Sequence, residues 1–589
     1  MAVAAVLTAS LTAVHGVAAE DFAYDTRIVG VDDEELRETL ERVSRLVALE
    51  DEPPASLSAL RRRAENDVEA FSTVLRSEGY YDHIIRYRLN TSRSPVRVRI
   101  DIDPGPPYVL KSFDVILKGD DLDPAMESVA RVRERIDLER RSRAKEIVDA
   151  EEAVIAELRR SAFPFPGLVD REVVVDHAER SVTVRSTVET GGRARFGQTT
   201  VTGISGPLVA YAERRVPWEK EEFYDPDKLE SLRSKLASTG LFSKVRVRSA
   251  EEVGPDGLLP MEIELERADE RSIGVGARYS SSDGAGASGF WEHRNLFGHA
   301  ERLRLSSDIS QLGEEAKLTF RRPDSFSTDQ TLVFDASYEV EETEAFDSRK
   351  FKSSLGLERP LWTNWTAVGG VGFEIGPVEG SDGVKRDVVL VGLPMALRRD
   401  TSNSLLDPTR GTRLELGFTP YFEELGSDLT FFVGRISPTF YLPFDRQRRL
   451  VFAGRTAVGA IAGAGRFTIP PDKRFYAGGG GSVRGYAFQH AGPLNEERDP
   501  VGGRSLFEAA GELRWRFTDS FAVVPFVDAG NVFEETYPSF ADGLFWGAGL
   551  GFRYFSPVGP IRLDLATPLN PRSGVDDPVQ FYISLGQAF

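Results

Sequence analysis

The sequence predicts three α+β repeats of βααββ order followed by an all-β transmembrane barrel of about sixteen antiparallel strands. Three observations lead there. Between Asp21 and Glu266 one order of elements recurs three times. After Arg267 helical periodicity gives way to two-residue alternation, in segments of about ten residues that are long enough to cross a bilayer when tilted. Apart from an apolar run at residues 2–17, no stretch approaches the roughly 18 residues of a membrane helix, so a spanning structure must close as a barrel.

The 589 residues include 73 basic and 92 acidic side chains, a net charge of −19, and no cysteine. Absent cysteine excludes disulfide scaffolds, thiolate zinc sites, iron–sulfur clusters and cysteine nucleophiles. The acidic balance argues against nucleic acid as a partner. With 54 Gly, 10% aromatic residues and 4 Met, the composition favours β-structure with many turns. Residues 1–19 read as a signal peptide: a small-residue apolar run, then Val17-Ala18-Ala19 as the cleavage site before Glu20 and Asp21. The basic residues expected ahead of such a run are missing, which points to a start codon further upstream.

The first repeat, 20–105, has an extended run at 26–31, helices at 32–49 and 56–77, and strands at 81–89 and 96–103. In its second helix Leu57, Leu60, Ala64, Val68, Phe71 and Leu75 recur at three- and four-residue steps, one buried stripe with Arg61, Arg62 and Glu65 outside it. The second repeat, 106–191, restarts with a strand at 108–117, a helix at 142–160 and strands at 171–176 and 181–189. The third, 192–268, has strands at 194–202, 241–248 and 259–267 and a helix at 225–239. Gly79 and Gly240 suit left-handed helix caps that turn the chain at once into a strand. The second repeat has Ala162 at the equivalent place, which leaves its helix end the least defined.

Residues 269–589 form the barrel. In 331–340 the residues Leu332, Phe334, Ala336, Tyr338 and Val340 share one face, while Thr331, Asp335, Ser337 and Glu339 share the other. Leu513, Trp515 and Phe517 alternate with Glu512, Arg514 and Arg516, and Ile561, Leu563 and Leu565 with Arg562 and Asp564. A soluble sandwich alternates likewise, but its strands are nearer five or six residues. The charged face is therefore the inner face of a barrel. A long insertion between segments ending near Gly463 and beginning near Arg504 carries four consecutive glycines, then Val483-Arg484-Gly485-Tyr486. No Gly-Lys-Ser/Thr follows, which argues against a phosphate cradle.

These features resemble a known family. The repeats look like POTRA domains, the polypeptide-transport-associated modules that precede outer-membrane assembly barrels. Val483, Arg484, Gly485 and Tyr486 match the VRGY/VRGF signature of the BamA/TamA superfamily (bacterial surface antigen family), with further matches at 407–412, 526–533 and 556–565. The three repeats are most like the translocation and assembly module branch, TamA. The resemblance implies a barrel in the outer membrane with its repeats in the periplasm. It implies that the glycine-rich loop folds into the lumen, with Arg484 held by Asp528 of the Phe526-Val527-Asp528 element. Alternation agrees, since it can turn Asp528 inward while Val527 faces out, and a confined guanidinium favours a bidentate carboxylate.

The last residues place Val579, Phe581, Ile583, Leu585 and Phe589 on one face, resembling the C-terminal β-signal of outer-membrane proteins. The closing partner is the first strand, near 272–281, which opens Ser272-Ile273-Gly274-Val275-Gly276. Gly274, Gly276 and Gly586 weaken such a seam, or simply make room in the lumen; both readings stand. The resemblance implies a lateral gate here, through which client outer-membrane proteins such as autotransporters enter outer-membrane lipid. It also implies an inner-membrane-anchored, periplasm-spanning partner (TamB-like) for the repeats, and neither cofactor nor covalent chemistry. A two-partner secretion transporter is the alternative, although such proteins usually carry two repeats and a plug helix, for which nothing after Ala19 is a candidate. The BamA-type core insertase usually carries five repeats, more than this length holds. An outer-membrane hydrolase finds little support: His15, His83, His177, His293, His299 and His490 are dispersed, with neither metal-ligand spacing nor a G-x-S-x-G elbow.

Overall fold

A computed structural model describes residues 22–280, 284–423, 429–557 and 559–585. The expected signal peptide at 1–19 and the seam residues Gly586 and Phe589 lie outside the described residues.

The first module comprises the strand Tyr24–Val29, helices Glu34–Val43, Arg45–Ala48 and Leu57–Ser77, and strands Ile84–Asn90 and Val96–Asp103. The last strand lies in the middle of the sheet, parallel to the first. Leu40, Leu60, Phe71 and Val98 are fully buried between sheet and helices. The helix expected over 32–49 is interrupted at Ser44, whose hydroxyl donates to Asp67 at 2.5 Å. The buried Asp67 carboxylate also accepts the Arg45 and Leu46 N–H groups, capping a new turn from 22 residues away in sequence. The strand expected from 81 begins at Ile84; just before it the His83 ring bonds the Tyr80 carbonyl and the Ser72 hydroxyl, each at 2.8 Å.

The second module repeats the plan with Val109–Lys118, Leu122–Arg133, Ala144–Arg160, Gly167–Asp176 and Ser181–Glu189. Its edge strand starts at Gly167 rather than 171 and runs through an irregularity between Leu168 and Asp170. Ala162 takes φ +72 at the helix end, the left-handed position that Gly79 and Gly240 fill at φ +82 and +66. The third module has Arg195–Thr202, Pro207–Glu213, Pro226–Ser238, Phe242–Ser249 and Leu258–Arg267, with the same strand order. By compactness the chain divides in two. One unit gathers the described residues through 200 with 216–234 and 246–263; the other gathers 201–215, 235–245 and the described residues from 264 onward. Inside the first unit, Arg141 donates to Asp33 at 3.1 Å, Glu78 at 3.1 Å and the Tyr80 hydroxyl at 2.7 Å, fastening the first module to the second.

In the second unit, antiparallel strands pair in sequence from Arg271–Ser280 to Gln580–Leu585 and close on one another. They fill sixteen positions among the described residues. Lys385–Gly392 and Met395–Asp400 share one position, both lying between Trp365–Gly380 and Gly411–Glu423. The break falls at Pro394, which has no N–H to give a ladder. Side chains alternate as the sequence implies: Tyr338, Trp515 and Leu565 face outward, while Arg514 and Asp564 are buried inside. Asp335 also faces inward, accepting the Thr319 hydroxyl at 2.6 Å. An apolar outer face around a charged interior is the pattern of a lipid-embedded barrel. Between Leu450–Ala462 and Ser505–Arg516, the loop 463–504 turns into the lumen, where Val483 and Tyr486 become fully buried.

Candidate functional site

The loop approaches the wall closely because two glycines remove obstacles. Gly485 has φ +102, and a Cβ there would sit 2.9 Å from the Thr567 carbonyl. On the wall, a Cβ at Gly547 would lie 1.8 Å from the Arg484 carbonyl oxygen, so this site requires a bare backbone. Tyr486 then anchors its ring edge-on to Phe545 and donates its hydroxyl to Asn570 at 2.8 Å.

Arg484 sits at the centre of a buried charge cluster. Its Nε and Nη2 donate to the two oxygens of Asp528 at 2.6 and 2.8 Å, and its backbone N–H donates to the same carboxylate at 3.1 Å. Nη1 donates to Glu512 at 2.8 Å and to Asp564 at 3.0 Å. Phe526 lies under the guanidinium, 3.5 Å from its carbon to the ring centre. The three carboxylates come from three strands, Ser505–Arg516, Phe521–Phe533 and Gly559–Pro568. Glu512 and Asp564 are balanced further by Arg514 at 2.9 Å, Arg562 at 2.7 Å and Arg553. Among the described residues, the ion pair that Asp528 makes is with Arg484. Arg484 and Asp528 are 2% and 1% exposed, so Asp528 depends on Arg484 to offset the solvation it has lost, while Arg484 shares that task among three carboxylates.

The structure therefore brings Arg484, Phe526 and Asp528 together, and adds Glu512 and Asp564 as partners that sequence reading did not assign to the arginine. Alternation turned both inward; only register puts them at the height of the loop.

The seam is the second feature. The first and second strands pair from Arg271↔His293 to Ser280↔Gly284, whereas the first and last strands pair at Tyr279↔Ile583 and Ser280↔Tyr582. The Tyr279 and Phe581 rings meet across it at 5.6 Å. Further along the first strand, Ile273 and Val275 are 80% and 94% exposed, against 59% for Leu565 and 45% for Val527 within the wall. Ser272 accepts from Arg294 at 3.0 Å. Gly274 and Gly276 point inward, and a Cβ at Gly274 would collide with the Phe290 ring at 2.2 Å. That ring carries the Arg304 guanidinium at 3.8 Å. Gly274 thus makes room for an inner-face aromatic.

Loop and seam touch. The Gly485 N–H donates to the Tyr582 hydroxyl at 3.2 Å, Tyr582 packs against Gly480, and Arg562 donates to the Gly480 carbonyl at 2.9 Å.

Comparison with known proteins places this geometry. Residues 295–589 match the Omp85 superfamily domain. The chain is 27% identical over 391 residues to the outer membrane protein assembly factor BamA of Nitratidesulfovibrio vulgaris, covering 62% of this chain and 48% of that protein. It is 23% identical over 473 residues to BamA of Neisseria meningitidis, covering 68% and 57%. The chain thus spans about half the length of the curated relatives it matches. A crystal structure of Haemophilus ducreyi BamA lacking POTRA domains 1–3 superposes with a TM-score of 0.62 at 17% identity, over 81% of this chain and 100% of that one, which shows a shared fold.

Proposed function

Because this chain belongs to the Omp85 superfamily, we propose that it assembles other β-barrel proteins into the outer membrane by parting the seam between its first and last strands. The barrel lies in the outer membrane and its modules in the periplasm. The observation that carries the proposal is the seam itself: among the described residues Tyr279 and Ser280 pair with Ile583 and Tyr582, and the outward Ile273 and Val275 side chains further along the first strand are highly exposed. An open strand edge offers N–H and C=O groups in register for an incoming strand, which is how a client could be templated before release into lipid. The clients in this reading are outer-membrane proteins, autotransporters among them. The modules, whose sheets end in exposed edge strands such as Gly167–Asp176, receive clients or an inner-membrane-anchored, TamB-like partner. The work is non-covalent and uses no cofactor.

The test uses the absence of cysteine. Tyr279→Cys with Ile583→Cys would create a single disulfide across the seam. The expected result is loss of client assembly into lipid vesicles, restored by reductant, with the folded barrel and its conductance retained. A locked barrel that still assembled clients would refute the gate. One that still exported a soluble client would favour secretion through the pore instead.

A further inference from the structure

The lumen loop meets the wall at a second place, far from Arg484. After the strand Leu450–Ala462, the chain makes a short 3-10 turn, Pro471–Lys473, whose side chains run into the strands Phe346–Trp362 and Trp365–Gly380. Asp472 pairs with Lys350 at 2.5 Å, with side chains 2% and 1% exposed. Lys473, its neighbour, pairs with Glu374 at 2.5 Å and lies 5.3 Å from the centre of the Tyr421 ring. Lys350 is itself 4.0 Å from Glu374, and Lys352 beside it pairs with Glu339. Two adjacent loop residues of opposite sign thus face two wall residues of opposite sign on adjacent strands.

The surroundings on the loop side are mostly apolar. Ile469, Phe346, Val378, Leu390 and Phe431 form a buried apolar cluster against which Phe475 and Tyr476 pack. Tyr476 donates its hydroxyl to the Pro471 carbonyl at 3.0 Å, and Arg474 ties the two limbs of the loop by donating to Ile469 at 3.1 Å and to Val501 at 3.0 Å. A loop that only needed to fill space could bury apolar residues here at less cost, because a charge in such a place is tolerated only when its partner is set to meet it. In strand order the contacted strands are the sixth and seventh, whereas the Arg484 partners lie on the twelfth, thirteenth and fifteenth.

We infer that Asp472 and Lys473 are positioning residues: docking as an opposite-sign pair on Lys350 and Glu374, they form a second anchor that holds the base of the lumen loop independently of the Arg484 cluster. The inference stands on geometry and does not depend on the assembly role, so its failure would leave that reading untouched.

The experiment uses the full-length protein in lipid nanodiscs, with a spin label on a single introduced cysteine at Phe467 near the base or at Gly481 near the tip. Asp472→Lys is expected to loosen the label at 467 and to speed proteolysis within 463–504 by about tenfold, while the label at 481 stays immobile. Lys350→Asp combined with Asp472→Lys restores the pair with its signs exchanged and should return both readings to within about twofold of the parent. Should Asp472→Lys fail to fold, Asp472→Asn and Lys350→Met are compared singly and together, and the double variant should be no looser than either single one. Unchanged mobility at 467 in these variants, or a folded exchange variant as loose as Asp472→Lys, would overturn the second anchor. Equal loosening at 481 would overturn its independence.

Discussion

The hydroxyl of Tyr582, on the closing strand of the barrel, accepts the backbone N–H of Gly485, in the centre of the lumen-loop motif, at 3.2 Å. The backbone of Tyr582 stands opposite Ser280 on the first strand. One residue therefore touches both the loop and the seam, and whatever moves the closing strand must break or carry that hydrogen bond.

Tyr582→Phe keeps the ring against Gly480 and removes the hydroxyl, which accepts from Gly485 and donates to the Tyr486 carbonyl at 3.5 Å. A buried N–H left without a partner costs about 1–3 kcal/mol, so we expect the thermal unfolding midpoint to fall and amide exchange at Gly485 to accelerate. Unchanged exchange at Gly485 would show that the hydrogen bond does not hold the loop.

The cluster around Arg484 predicts an asymmetry. Arg484→Ala strands Asp528, whereas Asp528→Ala leaves Arg484 with Glu512 and Asp564. We expect Arg484→Ala to cost about 3–5 kcal/mol in denaturant unfolding and Asp528→Ala clearly less. The double variant should show coupling, since the residues share one hydrogen-bonded network. Equal single effects that add would contradict the arrangement.

Gly547→Ala should be more disruptive than its size suggests. The new methyl would fall 1.8 Å from the Arg484 carbonyl oxygen, and the loop must withdraw to admit it. Overpacking of this kind costs about 1–3 kcal/mol. Proteolysis within 463–504 at the parent rate would show that the loop does not sit where these glycines permit.

Between the first two modules the expectation concerns pH. The hydrogen bond from Arg141 holds the Asp33 carboxyl below its ordinary value of 3.8. A carboxylate so depressed lends stability above its unfolded value and loses it as pH falls through the folded one. The urea midpoint of the modules should therefore drop on acidification below about pH 4, and Arg141→Gln should flatten that part of the profile. Identical profiles for parent and variant would dismiss the contribution of this pair.

Much of the architecture was legible because it depends on local pattern. Leu60, Ala64, Phe71 and Leu75 announced a helix with one buried face, and Arg562, Asp564 and their apolar neighbours announced an inner and an outer wall. What was not legible depends on distant partners. The helix break at Ser44 is imposed by Asp67, and Ala162 accepts a left-handed conformation because Phe163, whose N–H bonds the Leu158 carbonyl at 3.2 Å, is pulled into the core. Asp528 could be matched to Arg484 through its motif, but Glu512, Asp564 and Tyr582 become partners only through the register of strands far apart in the chain. Nothing in the local sequence around Asp472 and Lys473 marks them as a docking pair, for the same reason.

The partners of Arg484 lie 28, 44 and 80 residues away along the chain. Before the strands bearing Glu512, Asp528 and Asp564 are joined in register, there is no place of low energy for its charge to enter. A slip of one residue in the strand Phe521–Phe533 would turn Asp528 toward lipid and Val527 toward the loop. Seating of the arginine thus proofreads the folding of this barrel's own C-terminal half, and the loop can settle only onto a wall that has been built correctly.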